Sequence, residues 1–427
     1  MVARLNLRSP GWRLAFGILV LTAVVLLSVI IVSRFVIGTL ADDRFVVTRD
    51  MIAVPATYFP NSARLNWRLA SAELSASNRD LVSAKAHAER AIALSPYDYR
   101  LRITLASIEE SLGDRTAAEK SLEAARSLAP HHWNVRYRLG NLLVREGKLE
   151  QASDEFRIAA AANSRILSGA LDLLWRASPG NPGLLAKIAG DDPKAQLTLA
   201  QFLMSVSRPT EAATVFGSID RAGRLASSSE SSAFLNSLIA AGQVQLAREL
   251  WNETAGGERQ AAIIGNSGFE LDLLKDFGQF DWQFGRSEYA RISVDPNVAH
   301  GGSRSLKIEF AGRDTTQLDN EIKQLVILRA GARYALECFA KANGLESPEG
   351  PRVVVANMTS GSWIAASEPV AQGSGDWQRL SLDFVAPQSS AGGISAVAVS
   401  IKRKPKFSYD EPTRGTVWFD DFSIKEE

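Results

Sequence analysis

A single cysteine, Cys338, is the whole thiol content of this 427-residue chain, so neither an intrachain disulfide nor a cysteine-built metal cage holds it together. Its surroundings, Tyr334-Ala335-Leu336-Glu337-Cys338-Phe339, alternate like a half-buried strand and give the thiol a small apolar role. Charge of one sign is lacking too. With 48 Lys and Arg against 47 Asp and Glu, and no basic patch interleaved with aromatics, no field is present that would attract nucleic acid. The four histidines, His87, His131, His132 and His300, are scattered, with no acid or nucleophile at a suggestive spacing. A Gly-rich phosphate loop, a zinc signature and a nucleophile elbow are all missing. Nothing in the spacing of the many Asp and Glu residues singles out a hydrolytic pair. The sequence reads as that of a non-enzyme.

What is present is 46% hydrophobic residues, enough for two or three domains, and one long apolar run. From Leu14 to Ser33 no charge occurs over twenty positions, about the length that crosses a hydrocarbon core as a helix. Arg4, Arg8 and Arg13 precede the run and Trp12 suits the interface, while Asp42 and Asp43 dilute Arg34 and Arg44 behind it. The positive-inside bias then gives a cytoplasmic N-terminus (1–13), a transmembrane helix (14–37) and a linker (38–61) containing Pro55 and Pro60. The competing reading is a cleaved secretory signal ending at Thr39-Leu40-Ala41, although the run exceeds the usual signal core. Both readings place the soluble part across the membrane. The expected location is a single-pass inner membrane protein with a periplasmic or extracellular bulk.

Residues 62–262 read as successive short helices rich in Ala, Leu, Arg and Glu. Pro96 and Pro130 each close an Ala-rich helix 34 residues apart, the period of tetratricopeptide repeats. Within one period, Leu105-Ala106, Gly113, Ala118, Leu122, Ala125 and Pro130 supply packed small residues, a turn glycine and a helix stop. The next unit repeats this with Leu139-Gly140, Gly147, Ala152, Phe156 and Ala159. These two units closely resemble the tetratricopeptide family. Weaker units flank them, around Ala84, Ala88 and Ala91, around Leu199-Ala200, Ala212 and Phe216, and around Leu235, Gly242, Ala247 and Trp251. Five or six helical hairpins are expected, with a long inter-helix turn at Ser178–Gly183.

At Ile263 the period changes from helical to alternating. Leu306–Phe310, Val353–Val355, Leu380–Phe384 and Val397–Ile401 read as strands in an all-β domain over 263–427. The order of signatures is informative: Asn266-Ser267-Gly268-Phe269-Glu270, Phe280-Asp281-Trp282, Gly301-Gly302-Ser303-Arg304-Ser305, Gly331 before Tyr334, Trp377, and Trp418-Phe419-Asp420-Asp421-Phe422. This series resembles jelly-roll carbohydrate-binding modules of galactose-binding-like topology. The fold class implied is a single transmembrane helix, an all-α tetratricopeptide-like superhelix, then an all-β jelly-roll sandwich. Strict alternation in the closing motif puts Trp418, Asp420 and Phe422 on one face, and Trp282, Trp377 and Trp418 are assigned to the core.

Glycan binding needs an aromatic face for the C–H face of a pyranose, flanked by groups that bond hydroxyls. Trp363, in a polar stretch beside the Val353 strand, and Phe407 and Tyr409, in the polar loop Lys404–Arg414, are the aromatic candidates. Asn357, Gln324 and Arg403 are the flanking candidates. The resemblance also implies a structural calcium, for which Glu270, Asp420 and Asp421 match the carboxylate positions. Two functions remain open. One is a membrane-anchored envelope protein that binds polysaccharide with the β-domain and a protein partner with the repeats, accessory to bacterial exopolysaccharide or O-antigen synthesis, ligation or export. The other is a protein–protein scaffold whose β-domain has no sugar affinity.

Overall fold

The computed structural model describes residues 10–40, 48–76, 80–257, 263–313, 316–358, 360–388, 393–405, 407 and 411–427. They form two compact units, 1–190 and 191–427. In the first, helix α1 (Pro10–Leu40) carries over Gly11–Ser33 the stretch that is long and apolar enough to cross a membrane, with its side chains outward and unpacked. Part of the expected linker is helical instead. Residues Arg49–Tyr58 form α2, whose Ile52 is buried with Leu65 and Leu69 and whose Arg49 pairs with Glu73 at 3.3 Å, so this segment packs on the array.

Four helical hairpins follow: α3 (Ala63–Ser75) with α4 (Leu81–Leu94), α5 (Tyr99–Ser111) with α6 (Arg115–Leu128), α7 (Trp133–Arg145) with α8 (Leu149–Ala162), and α9 (Leu167–Ala177) with α10 (Pro182–Ala189). Their starts are chemically marked. Asp80, Asp98 and Asp114 each accept a backbone N–H of the first turn, which satisfies donors the helix cannot. The small residues of the repeat register, Ala84, Ala88, Ala91, Ala106, Ala118, Ala125, Ala152 and Ala159, are all buried. Gly113 and Gly147, 34 residues apart, take positive φ at equivalent turns. The expected long turn after α9 is in fact the short stretch 178–181, because Pro182 can occupy the first position of α10, where no N–H is needed.

The second unit begins with α11 (Pro193–Ser205), α12 (Pro209–Ser218), the short α13 (Arg221–Ala226), α14 (Ser228–Ala240) and α15 (Val244–Trp251). Ten strands then form two antiparallel five-stranded sheets. They are β1 (Gln283–Phe284), β2 (Ala290–Asp295), β3 (Ser305–Ala311), β4 (Ile322–Arg329), β5 (Arg333–Glu346), β6 (Arg352–Asn357), β7 (Trp363–Ala366), β8 (Gly373–Val385), β9 (Ile394–Lys402) and β10 (Arg414–Glu426). One sheet runs β1-β4-β9-β6-β7 and the other β2-β3-β10-β5-β8. Alternate residues of both, among them Val326, Val353, Val355, Val397, Val399, Leu306, Ile308 and Leu336, make the shared core. Cys338 lies in it, and burial pushes its thiol well above its ordinary pKa.

Strict alternation fails in β10. Asp421 takes φ +51 and the pairing with β5 shifts between Asp420 and Ser423, a bulge that inserts an extra residue. Phe419 and Phe422 both therefore enter the core, and Trp418 faces the other way, bonding Asp295 Oδ2 at 2.9 Å through its indole N–H. Trp282 is a core residue, 5.3 Å from Phe269 and 4.8 Å from Phe422 by ring centroids. Trp377 is only half-buried, on the outer surface of β8 against His300.

The helical register has a direct test. A Cβ on Gly140 would stand 2.6 Å from Cε1 of the fully buried Phe156, so this helix pair meets only because position 140 has no side chain. Gly140→Leu should cost about 1–3 kcal/mol by overpacking. Thermal unfolding followed by circular dichroism should show the loss, and an unchanged transition would refute the close approach of α7 and α8.

Candidate functional site

The outward face of the sheet β1-β4-β9-β6-β7 is not filled like its inward one. Across it, Lys323 pairs with Ser400 and Ser400 with Val354, while the next row runs Leu325, Ala398, Ala356 and Trp363. In β9 the sequence Val397-Ala398-Val399-Ser400-Ile401 alternates large residues inward with small ones outward. The small residues leave a trough. It is a cleft of about 490 Å³, within the range of about 300–1,000 Å³ usual for ligand sites.

Its walls come from several elements. Asp319, Asn320, Lys323, Lys402 and Lys404 supply charge and amide groups, and Asn357, Met358 and Gly361 stand at the β6–β7 hairpin. Gln279 and Gln283 form a third side, and Asn236 and Ile239 of α14 a fourth. Helix α14 is held there by a built junction. The Trp251 indole N–H donates to the Phe277 carbonyl at 2.7 Å, the ring meets Phe280 edge-on at 5.7 Å, and the Arg248 guanidinium lies over both rings. Burial lowers the pKa of Arg248. Gln279 donates through Nε2 to Ser232 Oγ at 2.7 Å and to Asn236 Oδ1 at 3.2 Å.

Trp363 is presented by a closed hairpin. The Gly361 N–H donates to the Asn357 carbonyl and the Asn357 N–H to the Ser362 carbonyl, both at 2.9 Å, while Asn357 Oδ1 accepts from Ser360 N–H at 3.0 Å. Gly361, at φ +67, allows the reversal. The ring is 41% exposed, shares the face of its partner Ala356, and has Lys404 Nζ 5.5 Å from its centroid. An indole beside a floor of alanines is a surface for the C–H face of a pyranose, and the rim carries hydroxyl-bonding groups.

The other candidates divide. Asn357 lines the cleft and fastens the hairpin behind Trp363. Gln324 sits at the cleft boundary, but its position pairs with the core residue Val399 and its amide donates inward to the Gly265 carbonyl at 2.9 Å. That bond makes it a structural residue. Arg403 is corrected more firmly: it is 1% exposed and donates to the carbonyls of Thr316 and Glu349, tying loops together beneath the surface. Phe407 is exposed outside the cleft lining, and Tyr409 lies outside the described residues. Sequence reasoning missed Asn236, Ile239, Lys323, Lys402 and Lys404. The small-outward alternation of β9 was the readable signal for the floor, whereas nothing local announces a helical wall.

Glu270, Asp420 and Asp421 do meet at one corner, around Gly268, Gly301 and Gly302. Their oxygens face hydrogen-bond donors there. Glu270 accepts from Ser303 N–H at 2.8 Å, Ser303 Oγ at 2.7 Å and Arg304 N–H at 3.0 Å, and the Ser303 hydroxyl and amide hold its carboxyl below the ordinary value. Asp420 accepts from His300 N–H at 2.7 Å, Gly301 N–H at 3.2 Å and Asp421 N–H at 2.8 Å, while burial raises its carboxyl above the ordinary value. Asp421 meets His300 Nδ1 at 2.7 Å, and the imidazole stacks on Phe339 at 3.7 Å. Among the described residues no group of three His, Cys, Asp or Glu side chains is placed to hold a metal ion. The corner as arranged is a hydrogen-bonded clasp between the two ends of the domain.

In the helical unit, Ser107 and Glu110 of α5 face Arg138, Asn141 and Arg145 of α7 across a smaller cavity of about 260 Å³. Arg145 pairs with Glu110 at 2.8 Å and Arg138 donates to Ser107 Oγ at 3.2 Å. This is a polar groove on the first helices of successive repeats.

These elements define a tetratricopeptide-like helical-repeat protein that carries an antiparallel β-sandwich. The tetratricopeptide repeat family matches residues 111–165. No curated protein matches the chain. Among solved structures, a CBM4 carbohydrate-binding module is 21% identical, with 38% of this chain and 99% of that one covered at a TM-score of 0.27. PilF of Pseudomonas aeruginosa is 18% identical over 39% of this chain and 78% of that one at 0.28. A family 16 carbohydrate-binding module is 17% identical over 38% and 99% at 0.26.

Core and exposed aromatics should separate under mutation. Trp282→Ala, emptying a space between Phe269 and Phe422, should cost about 3–5 kcal/mol. Trp363→Ala should stay within about 0.5 kcal/mol, as exposed substitutions do. Denaturant titration followed by tryptophan fluorescence measures both, and equal losses would mean that Trp363 is a packing residue.

Proposed function

We propose that the protein is a membrane-anchored, non-catalytic envelope protein that binds glycan in the cleft of its β-sandwich and docks a protein partner along its helical repeats. The role that fits is accessory to the synthesis, ligation or export of a bacterial exopolysaccharide or O-antigen. The observation that carries the reading is Trp363: an exposed indole, held by a closed hairpin, beside a floor of small side chains with a polar rim. The motif series of the β-domain supports it, because that order of signatures resembles carbohydrate-binding modules.

The cleft chemistry favours binding over hydrolysis. Cleaving a glycosidic bond ordinarily takes two carboxyl groups, one of them with a raised pKa. Among the described residues the cleft has one, Asp319. Burial works against its ionisation, but Lys402 and Lys404 hold its carboxyl below the ordinary value, which is wrong for a general acid. The groove of Arg138, Asn141, Arg145 and Glu110 supplies charged and amide groups for an extended peptide of a partner.

The full chain in detergent micelles, run through gels containing envelope polysaccharides, tests the glycan reading. The expected result is retardation that Trp363→Ala weakens about tenfold, a loss of about 1.4 kcal/mol. Retardation by none of the polysaccharides would abolish this reading and leave the scaffold. For topology, a reporter that folds only outside the cytoplasm, fused after Glu427, should be active and remain with the membrane fraction. A soluble active fusion would mean that α1 is a cleaved signal, and an inactive one would reverse the orientation.

A further inference from the structure

Charge is distributed unevenly in this molecule. The whole chain is nearly balanced at +1, yet the cleft is lined by Lys323, Lys402 and Lys404 against the single carboxylate of Asp319. Lys402 lies 2.7 Å from Asp319 and is almost wholly buried by that contact, so one lysine and the one acid satisfy each other. Lys404 stands 3.3 Å from the other oxygen of the same carboxylate, sharing a partner already in use, and its ammonium lies over the Trp363 ring. Lys323 has no acidic partner among the described residues. The nearest acid in sequence, Glu321, is turned back to accept the N–H groups of Asp319 and Asn320 and does not line the cleft.

We infer that the cleft takes an acidic polysaccharide, one whose uronate carboxylates are met by Lys323 and Lys404 while a pyranose ring lies against Trp363. The inference rests on the glycan reading above and adds its substrate class. The spacing suits a polymer. Lys323 is on β4 and Trp363 on β7, three strand spacings apart, or roughly 14 Å at about 4.8 Å each. A ligand that reaches both is a short run of sugars crossing the strands, with charge at each end of the run and an apolar ring face at one. Lys404, its ammonium over the indole at 5.5 Å from the centroid, is close enough to meet a carboxylate carried on a sugar at Trp363. At the opposite end, Lys323 supplies a cation that no acid among the described residues neutralises, in a trough where solvent is partly excluded and attraction is stronger than on an open surface. Neutral glycans would offer Lys323 hydroxyl acceptors but no opposite charge.

The test compares a polyuronate with its own carboxyl-reduced derivative, which keeps the linkages and loses the charge, using the full chain in detergent micelles and affinity electrophoresis. Dextran and dextran sulfate are run beside them. The polyuronate should bind about tenfold or more tightly than its reduced form. Lys323→Gln and Lys404→Gln should each erode that ratio without shifting the melting temperature, and high ionic strength should narrow it. Trp363→Ala should weaken both forms. Equal binding of the parent and reduced polymers, or a ratio that Lys323→Gln and Lys404→Gln leave untouched, would overturn the acidic class while the glycan reading stands. Dextran sulfate bound as tightly as the polyuronate would overturn it as well, by showing attraction to charge alone. Failure of all four polymers would remove the glycan reading itself.

Discussion

The packing of Trp251 on the start of the β-sandwich is the contact on which the functional geometry depends. Its indole N–H is committed to the Phe277 carbonyl and its ring to Phe280, with Arg248 across both, so the last helical hairpin and the first turn of the sandwich share one buried seam. A seam of this kind does not slide. Indole N–H donors are costly to bury unpaired, and any shift of α15 would break that bond and part the rings together. Gln279 then registers α14 by bonding Ser232 and Asn236, which places Asn236 and Ile239 against the cleft. The boundary between compact units therefore falls at residue 190, inside the helical run, and not where helices give way to strands.

That seam also explains what was legible in the sequence. Repeat register was readable because stacking constrains every period alike: a turn glycine at 113 and 147, small residues at 118 and 152, and Gly140 where Phe156 needs room. Strand positions in the sandwich were readable from alternation for the same reason. Alternation misled at Trp418–Phe422, because a bulge adds one residue, and an Asp type only permits the positive φ of Asp421 without requiring it. Of the polar candidates, Arg403 and Gln324 went wrong in one common way. A long polar side chain in a β-sandwich can turn inward to satisfy loop carbonyls that no strand pairs, and sequence does not record which way it turns. Trp363 was legible as an exposed ring because the four residues before it, Thr359-Ser360-Gly361-Ser362, are polar or small.

The carboxylate corner shows the same economy of donors. Where two chain ends and a glycine turn converge, backbone N–H groups are left without strand partners, and Glu270 and Asp420 collect them. The two acids differ in cost. Glu270 is exposed and stabilised by its donors, so its contribution is present above the ordinary carboxylate range and declines as pH falls through its depressed pKa. Asp420 is buried beside Asp421, so its charged form is strained near neutrality and the strain is relieved as pH falls through its raised pKa. The two contributions therefore have opposite signs in acid.

A cleft with one aromatic platform beside it sets a ceiling on what a single copy can do. An exposed indole is worth about 0.5–1.5 kcal/mol beyond its area, and an ammonium–carboxylate pair at a wet rim adds about 0–1 kcal/mol. Such terms give weak single-site affinity, which a polymer turns to advantage. Each polysaccharide chain presents the same short motif many times, and proteins fixed in one membrane plane, as proposed, meet those motifs at high effective concentration. Weak sites displayed in number hold a polymer near the membrane without halting it, because each contact is released singly. Tight binding by one copy would instead arrest a growing or exported chain, so under the proposed function a small cleft is the form of site that a polysaccharide-handling assembly can use.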